Sequence, residues 1–416
     1  MAGKQVEEIK MIKQPFEGVK IVDFGWVGVG PLASEVLANM GATVVRVESP
    51  SRPDPLRMAP PFKDGEMGLN RSGFFTQNNA NKYGVSLDLN KPNAKVILKR
   101  LINWTDAVTS GFSPGAMEKW GLSYDELRAI KEDIIVMATC MQGQTGPHRK
   151  FRGFGNVMAA VSGFYYITGW PDGNPGELFG AYTDIPNFFY TAVSLMAAID
   201  YHRRTGEGQY IDQSQFEGSL QLLAPEILDW TANNRITERR GNRDSVAVPH
   251  GTFSCQGTDR WVAITVFTDE EWRAFCEVIG SPDWTNDANF STPELRRINE
   301  DELEKLISEW TCNYTPQEVM EKMQEKGVAA GVVQTAEELF NDPQLQERGH
   351  FVPLEHTEMG EHMYQASPYL LNKTPNAFNR AAPCLGEHNQ YVFGELLGFT
   401  DDDLADLIAD GTIEYE

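Results

Sequence analysis

The stretch Gly180-Ala-Tyr-Thr-Asp184-Ile-Pro186, followed by residues 187–204 and by Thr205-Gly-Glu-Gly208-Gln-Tyr-Ile-Asp212, reads as loop, helix, tight turn and strand. Pro186 fixes its own φ and pushes Ile185 toward extended backbone, so a helix is expected to begin at Pro186 and not before it. From Phe188 to Ala198 the chain is nearly all apolar, which predicts a helix buried on most of its surface. Asp200, His202, Arg203 and Arg204 mark the end that reaches water, and Gly206 stops the helix. Asp184 is left just outside the N-terminus, where free N–H groups and the macrodipole favour an ionised carboxylate. Two roles suit it there. It is a helix cap, the ordinary use of Asp at such a position, or a carboxylate nucleophile presented on a loop.

Toward the N-terminus the same strand-and-helix rhythm recurs. Residues 19–24 read as a short buried strand, a helix runs from Gly28 to about Met40, and a second strand at 42–47 ends at Glu48. The pattern Gly28-x-Gly30-x-x-Ala33 with an acid some twenty residues on resembles a dinucleotide fingerprint. Pro31, however, removes an N–H from the turn that would cradle a pyrophosphate, and close helix–strand packing explains the glycines equally well. Strands follow at 83–89, 106–110 and 134–141, with helices at 91–104 and, behind the capping box Ser123-Tyr-Asp-Glu126, to about Lys131. Ser113-Pro114 is expected to open a further helix through Lys119. The spacing predicts an α/β fold, a Rossmann-like domain with a largely parallel sheet covered on both faces.

Beyond the strand at 209–213 and a helix at 216–230 the composition changes. Residues 231–243 are polar and basic, as in a linker; 246–255 and 261–266 alternate as a hairpin, and helices are expected at 269–279, 300–312 and 316–326. The resulting division is a large domain at 1–224, a small α/β domain at 225–335, and a return to the large domain at 336–416, ending in two acidic amphipathic helices. His388, in Leu385-Gly-Glu-His388, suits either a base or a cap-and-turn segment.

The chain of 416 residues carries a net charge of −23, which argues against nucleic acid and against an anionic membrane surface as partners. A polyanionic ligand must then be met by a local cluster of Lys and Arg. Five scattered cysteines, Cys140, Cys255, Cys276, Cys312 and Cys384, show no Cys-x-x-Cys spacing, so neither a zinc site nor a disulfide framework is expected. Residues 1–14 hold no apolar leader and no run approaches a membrane span, so a cytoplasmic location is expected.

Seven segments in order resemble the family III CoA-transferases, the group of formyl-CoA transferase and carnitine CoA-transferase. They are Ile21-Val-Asp-Phe24 with Gly30-Pro31; Asn81-Lys82 with Val85-Ser-Leu-Asp-Leu89; Gly111-Phe-Ser-Pro-Gly115; Gly143-Gln-Thr-Gly-Pro147; Gly180 to Asp184 with Arg203-Arg-Thr-Gly206 and Gly208-Gln209; Asp342-Pro-Gln-Leu-Gln-Glu-Arg348-Gly; and Leu385-Gly-Glu-His388. The resemblance implies an acyl-CoA donor, a free carboxylic acid acceptor, coenzyme A as substrate with no tightly bound cofactor or metal, and an interlocked, ring-like dimer, homomeric or with a related subunit. It makes Asp184 the catalytic nucleophile, working through mixed anhydrides and an aspartyl-CoA thioester. It places Trp26, Val27, Gly28 and Val29 beside that nucleophile and CoA, and Lys82, Phe112, Lys119 and Arg152 against the CoA nucleotide. Gly28 stands where formyl-CoA transferase has an amide side chain, Gly111 replaces a common Asn, and Arg240-Gly-Asn-Arg-Asp244 occupies the region of that enzyme's glycine-rich covering loop. Trp26, Phe75 and Phe154 suggest a bulky acceptor. The overall similarity is to transferases acting on aromatic or branched acids in anaerobic degradation, implying succinyl-CoA as donor and an acceptor such as (R)-2-benzylsuccinate, with phenyllactate- or carnitine-type acids as alternatives.

Three other readings compete. An acyl-CoA racemase of the same fold needs a His-Asp pair in the segment written here Arg152-Gly-Phe-Gly-Asn156, which cannot move protons. A non-catalytic partner subunit is opposed by the intact Asp184. An NAD-binding oxidoreductase lacks a nicotinamide-side His or Tyr-x-x-x-Lys.

Overall fold

A computed structural model describes residues 13–376 and 378–414. Most of the polar segment at 1–14 therefore lies outside the described residues. The chain divides into two compact units: one takes the chain up to Phe164, Leu178–Arg235 and everything from Gln346 on, the other Tyr165–Glu177 and Ile236–Leu345. The second unit thus starts and ends later than the 225–335 division and takes in 165–177 as well. That segment joins it through non-local bonds, Arg239 to the Tyr166 carbonyl at 2.9 Å and the Gly241 N–H to the Gly169 carbonyl at 2.8 Å.

The first unit is built on six strands, β1 (Lys20–Phe24), β2 (Thr43–Glu48), β3 (Tyr83–Ser86), β4 (Ala107–Ser110), β5 (Ile135–Cys140) and β6 (Tyr210–Ser214). They pair in the order β3-β2-β1-β4-β5-β6, parallel throughout, with Ile21 opposite both Val44 and Ala107. Strand side chains alternate between faces, and here both faces are covered. Val22, Val45, Val108 and Val136 pack under the helix Ala94–Trp104, while Ile21, Val44, Ala107 and Ile135 pack under α1 (Val29–Asn39) and the long helix α2 (Asp184–Thr205). Strand order reverses between β1 and β4, so the crevice beyond their carboxyl ends is a ready-made ligand site.

Several local expectations are corrected. α2 begins at Asp184, two residues before Pro186. A proline in the first turn is tolerated because the first N–H groups of a helix have no partner to lose. The helix is also not buried on most of its surface: Thr191, Ala192, Leu195, Ala198 and Ile199 face the sheet, whereas Ile185, Phe189, Tyr190 and Val193 are exposed. Ser113-Pro114 opens only a turn leading into a short 3-10 helix, Met117–Trp120, stopped by left-handed Gly121. Residues 231–233 still belong to the helix Ala224–Asn233, so the loop starts later than its composition suggests. An antiparallel hairpin pairs Phe351–His356 with Gly360–Gln365 where the sequence pattern predicts no strands, and the first of the two C-terminal helices, Gln390–Leu396, is π-type.

The second unit holds a three-stranded antiparallel sheet, His250–Ser254, Trp261–Thr265 and Ala329–Val332, in that order. Val262, Ile264, Phe275, Leu303, Ile307, Val319 and Met323 form its core with the helices Asp269–Val278, Glu300–Thr311 and Pro316–Glu325.

Candidate active site

A cavity of about 750 Å³ opens at the carboxyl ends of the strands of the first unit. Its walls come from the turns after β1 (Trp26, Val27, Gly28, Val29), β2 (Ser49, Arg52), β4 (Gly111, Phe112) and β5 (Met141, Gln142), together with Phe154, Gly155, Asp184 and Gln215. The volume is in the range of small-molecule sites.

Asp184 projects into this cavity from the first turn of α2. Its carboxylate is held between two glycines: a Cβ on Gly28 would lie 3.1 Å from Oδ2, and one on Gly155 only 2.6 Å from Oδ1. Its neighbours fix it from behind. The Thr183 hydroxyl donates to the Gly155 carbonyl at 2.9 Å, and the buried Asn187 amide donates to the carbonyls of Thr183 and Gln215 and to Ser219 Oγ. Gln213 completes the brace, donating to Asn187 Oδ1 and accepting from Thr139 and Thr191. Asp184 is therefore not the cap of α2; Thr183 occupies the capping position without a side-chain bond of that kind. Nor is it the stabilised anion expected beside free N–H groups. Burial raises its pKa from the ordinary carboxylate value to about 7.

The turn after β1 is held by a buried ionic cluster. Arg46 pairs with Asp23, Glu48 and Asp54, and Arg57 pairs with Glu48 at 2.8 Å; all five side chains are buried. Burial alone would raise Glu48, but Arg57 and Arg46 hold it down to about 2. Its carboxylate is thus occupied, and the ribose role of the dinucleotide pattern is closed to it. Asp23 Oδ1 accepts from the Gly25 N–H, and the Asp54 carboxylate from the Val27 N–H. Lys82 belongs to this cluster and not to the cavity. It is fully buried, donating to Asp23 Oδ2 at 3.0 Å, the Pro31 carbonyl at 2.8 Å and Asn79 Oδ1 at 2.9 Å. Contrary to the expectation from the family resemblance, Lys82 is no contact for the CoA nucleotide, since a cation so enclosed cannot reach a ligand phosphate. Phe75 is likewise no part of an acceptor wall, lying buried with the Arg57 guanidinium 3.7 Å from its ring centre.

The structure does bring the other anticipated residues together. Trp26, Val27, Gly28, Val29, Phe112, Lys119, Arg152 and Asp184 all line the cavity. Phe112 stands edge-on between Trp26 and Trp120, with centroids 5.1 and 5.5 Å away. Arg52, Arg149, Trp120 and Gln215 join them without having been anticipated. The only sequence sign of the first two was their occurrence in loops, at Ser49-Pro-Ser-Arg52 and Arg149-Lys-Phe-Arg152. Arg52, Lys119, Arg149 and Arg152 are all exposed at the cavity, giving an acidic chain the local basic cluster a polyanion needs. His388 is a turn residue: its Nδ1 accepts the Gly84 N–H at 3.2 Å. Arg243, in the segment 240–244, is committed to Glu300, Asp301 and Glu304 within the second unit.

A family model described as CoA-transferase family III matches residues 16–389. The chain belongs to that family. This transferase is 32% identical over 401 residues to the succinyl-CoA–D-citramalate CoA-transferase of Chloroflexus aurantiacus, covering 95% of this chain and 97% of that one. It is 31% identical to the succinate–glutarate CoA-transferase of Agrobacterium fabrum, over 92% and 96% of the two chains. Among solved structures, a CAIB/BAIF family protein from Brucella suis superposes with a TM-score of 0.85 at 27% identity, over 92% of this chain and all of that one. An acyl-CoA and a free acid are accordingly the substrates, and no helix among the described residues is long and apolar enough to cross a membrane.

Proposed function

We propose that this transferase moves CoA from succinyl-CoA to a second carboxylic acid, with Asp184 as the nucleophile. The observation that carries the proposal is the desolvated Asp184 carboxylate, wedged between Gly28 and Gly155 in a cavity rimmed by Arg52, Lys119, Arg149 and Arg152. An Asp184 oxygen attacks the thioester carbonyl, the C–S bond breaks, and CoA leaves as thiolate from a mixed anhydride. The thiolate then attacks the Asp184 carbonyl, releasing succinate and leaving an aspartyl-CoA thioester. The acceptor carboxylate attacks that thioester, CoA leaves again, and its return to the acceptor carbonyl restores Asp184. Every step exchanges one carboxylate or thiolate for another, so the enzyme's task is to orient the partners and exclude water. Lys119 and the arginines suit the phosphates of CoA, and Phe112 offers a face for adenine.

For the acceptor, the two relatives named above carry small dicarboxylates in their names, and Trp26 and Phe154 add apolar wall to the cavity. An acid of the substituted succinate type, (R)-2-benzylsuccinate among them, combines both features. The exposed apolar strip of α2, Ile185, Phe189, Tyr190 and Val193, supports a dimeric assembly.

The test is intact-protein mass after incubation with succinyl-CoA, before and after hydroxylamine. Wild type should gain a hydroxylamine-sensitive adduct that Asp184→Ala lacks. An adduct that persists in Asp184→Ala, or none from wild type with any of several acyl-CoA donors, would sink the proposal.

A further inference from the structure

The turn Trp26-Val27-Gly28 holds a backbone conformation that its sequence does not favour. Val27 has a φ of +64°. The other non-glycine residues with positive φ are Asp, Asn or Ser among the described residues; Val27 alone is β-branched, the type for which this region is a true outlier. Such a conformation persists only where its surroundings over-determine it. Two anchors do so here. The Val27 side chain packs on the buried cluster of Leu56, Phe75, Ala80 and Tyr364. Its N–H is shared by both oxygens of Asp54, at 3.2 and 3.1 Å. Asp54 is itself immobilised: it is fully buried, paired with Arg46, and accepts the Leu56 N–H at 2.8 Å. Immediately after Val27 comes Gly28, whose absent Cβ would lie 3.1 Å from the Asp184 carboxylate.

We infer that Asp54 is a positioning residue of the transfer reaction: through the Val27 N–H it holds Val27 in its left-handed conformation, and so presses the Gly28 backbone against Asp184. It touches no substrate. The buried ionic cluster is in this view a strut for the reacting carboxylate as well as part of the core. If the strut relaxes, Val27 returns to negative φ and Gly28 moves off Asp184, while the basic rim that binds CoA stays where it is. The signature is a loss in kcat with little change in KM for the acyl-CoA.

A double-mutant cycle tests this, because glycine adopts positive φ without strain. Asp54→Asn in the Val27 background is expected to lower kcat by about 10- to 100-fold with KM within about threefold, and in the Val27→Gly background to lower it less than about threefold. An equal loss in both backgrounds, or no loss in either, overturns the inference. Should Asp54→Asn fail to fold, Val27→Pro leaves the carboxylate in place but removes the N–H and forbids positive φ. Lost kcat with retained acyl-CoA affinity then supports the strut, and unchanged kcat overturns it. The inference rests on Asp184 as the reacting group. Turnover retained by Asp184→Ala would defeat that reading, whereas an Asp184-dependent enzyme with an additive cycle defeats this one alone.

Discussion

The Asp184 carboxylate and the α-carbon of Gly155 are packed so closely that a side chain at 155 has no room: its Cβ would stand 2.6 Å from Oδ1 and 2.8 Å from Cγ. The Ala181 Cβ closes the same space at 2.6 Å. Gly155→Ala must therefore move the Asp184 carboxylate, the proposed nucleophile, or the start of α2. It is expected to lower kcat about 100-fold, since displacements of an ångström in a reacting pair cost that much. Gly28→Ala, where the corresponding distance is 3.1 Å, should cost less. Steady-state kinetics on the two variants, with CoA affinity measured separately, checks the order; a milder effect at 155 than at 28 would contradict the geometry.

Asp184 should also impose a pH limb. Burial raises it to about 7, and in the proposed mechanism only the carboxylate attacks, so kcat/KM is expected to climb with pH up to about 7 and then level off. The limb should vanish with any variant lacking the carboxylate, because turnover vanishes with it.

The same shift has an effect on stability with a definite sign. Between the unfolded carboxylate value near 4 and about 7, the folded chain keeps a proton that the unfolded chain releases, so stability falls as pH rises through this window. Asp184→Asn removes the titration. It should be more stable than wild type at pH 8, on the order of 4 kcal/mol, and little different at pH 4. Urea unfolding at the two pH values decides it; a variant less stable than wild type at pH 8 would show that the carboxylate is not desolvated.

Lys82 distinguishes a core role from a ligand role. Lys82→Met leaves Asp23 buried beside Arg46 alone, and removing one partner of a buried pair typically costs about 3–5 kcal/mol. A large fall in Tm is expected, with the KM for acyl-CoA of the remaining folded enzyme unchanged. A stable variant with weakened CoA binding would restore the nucleotide contact.

Arg52, Lys119, Arg149 and Arg152 should behave in the opposite way. Each lines the cavity and is exposed. Neutralising any one, for example Arg152→Gln, should leave Tm within a degree or two and raise KM for acyl-CoA about fivefold, an effect that shrinks with added salt. Unchanged KM across all four would remove them from the binding site.

Much of this architecture was legible in the chain. Apolar runs of strand length separated by helical spacing give the parallel sheet, because alternation and the 3.6-residue period are local signals. The capping box at Ser123 and Glu126 and the stop at Gly206 were readable for the same reason, and both occur as expected. The order of motifs placed Asp184 before a long helix, and the cavity does form around it.

What the tertiary structure alone decided is where side chains far apart in sequence meet. Lys82 reads as a surface cation until Asp23, Asn79 and the Pro31 carbonyl enclose it. Phe75 reads as apolar wall until Arg57 lies on its ring. Arg52 and Arg149 acquire meaning only when the turn after β2 and the loop after β5 face one cavity. The protonation of Asp184 is decided in the same way. Its place at a helix start is local and argues for a low pKa, whereas the burial that raises it to about 7 is non-local, set by chain segments such as Gly28 and Gly155 that meet only in the fold. Hydrogen-bonding periodicity is written residue by residue along a chain, whereas burial and charge balance are properties of the folded neighbourhood.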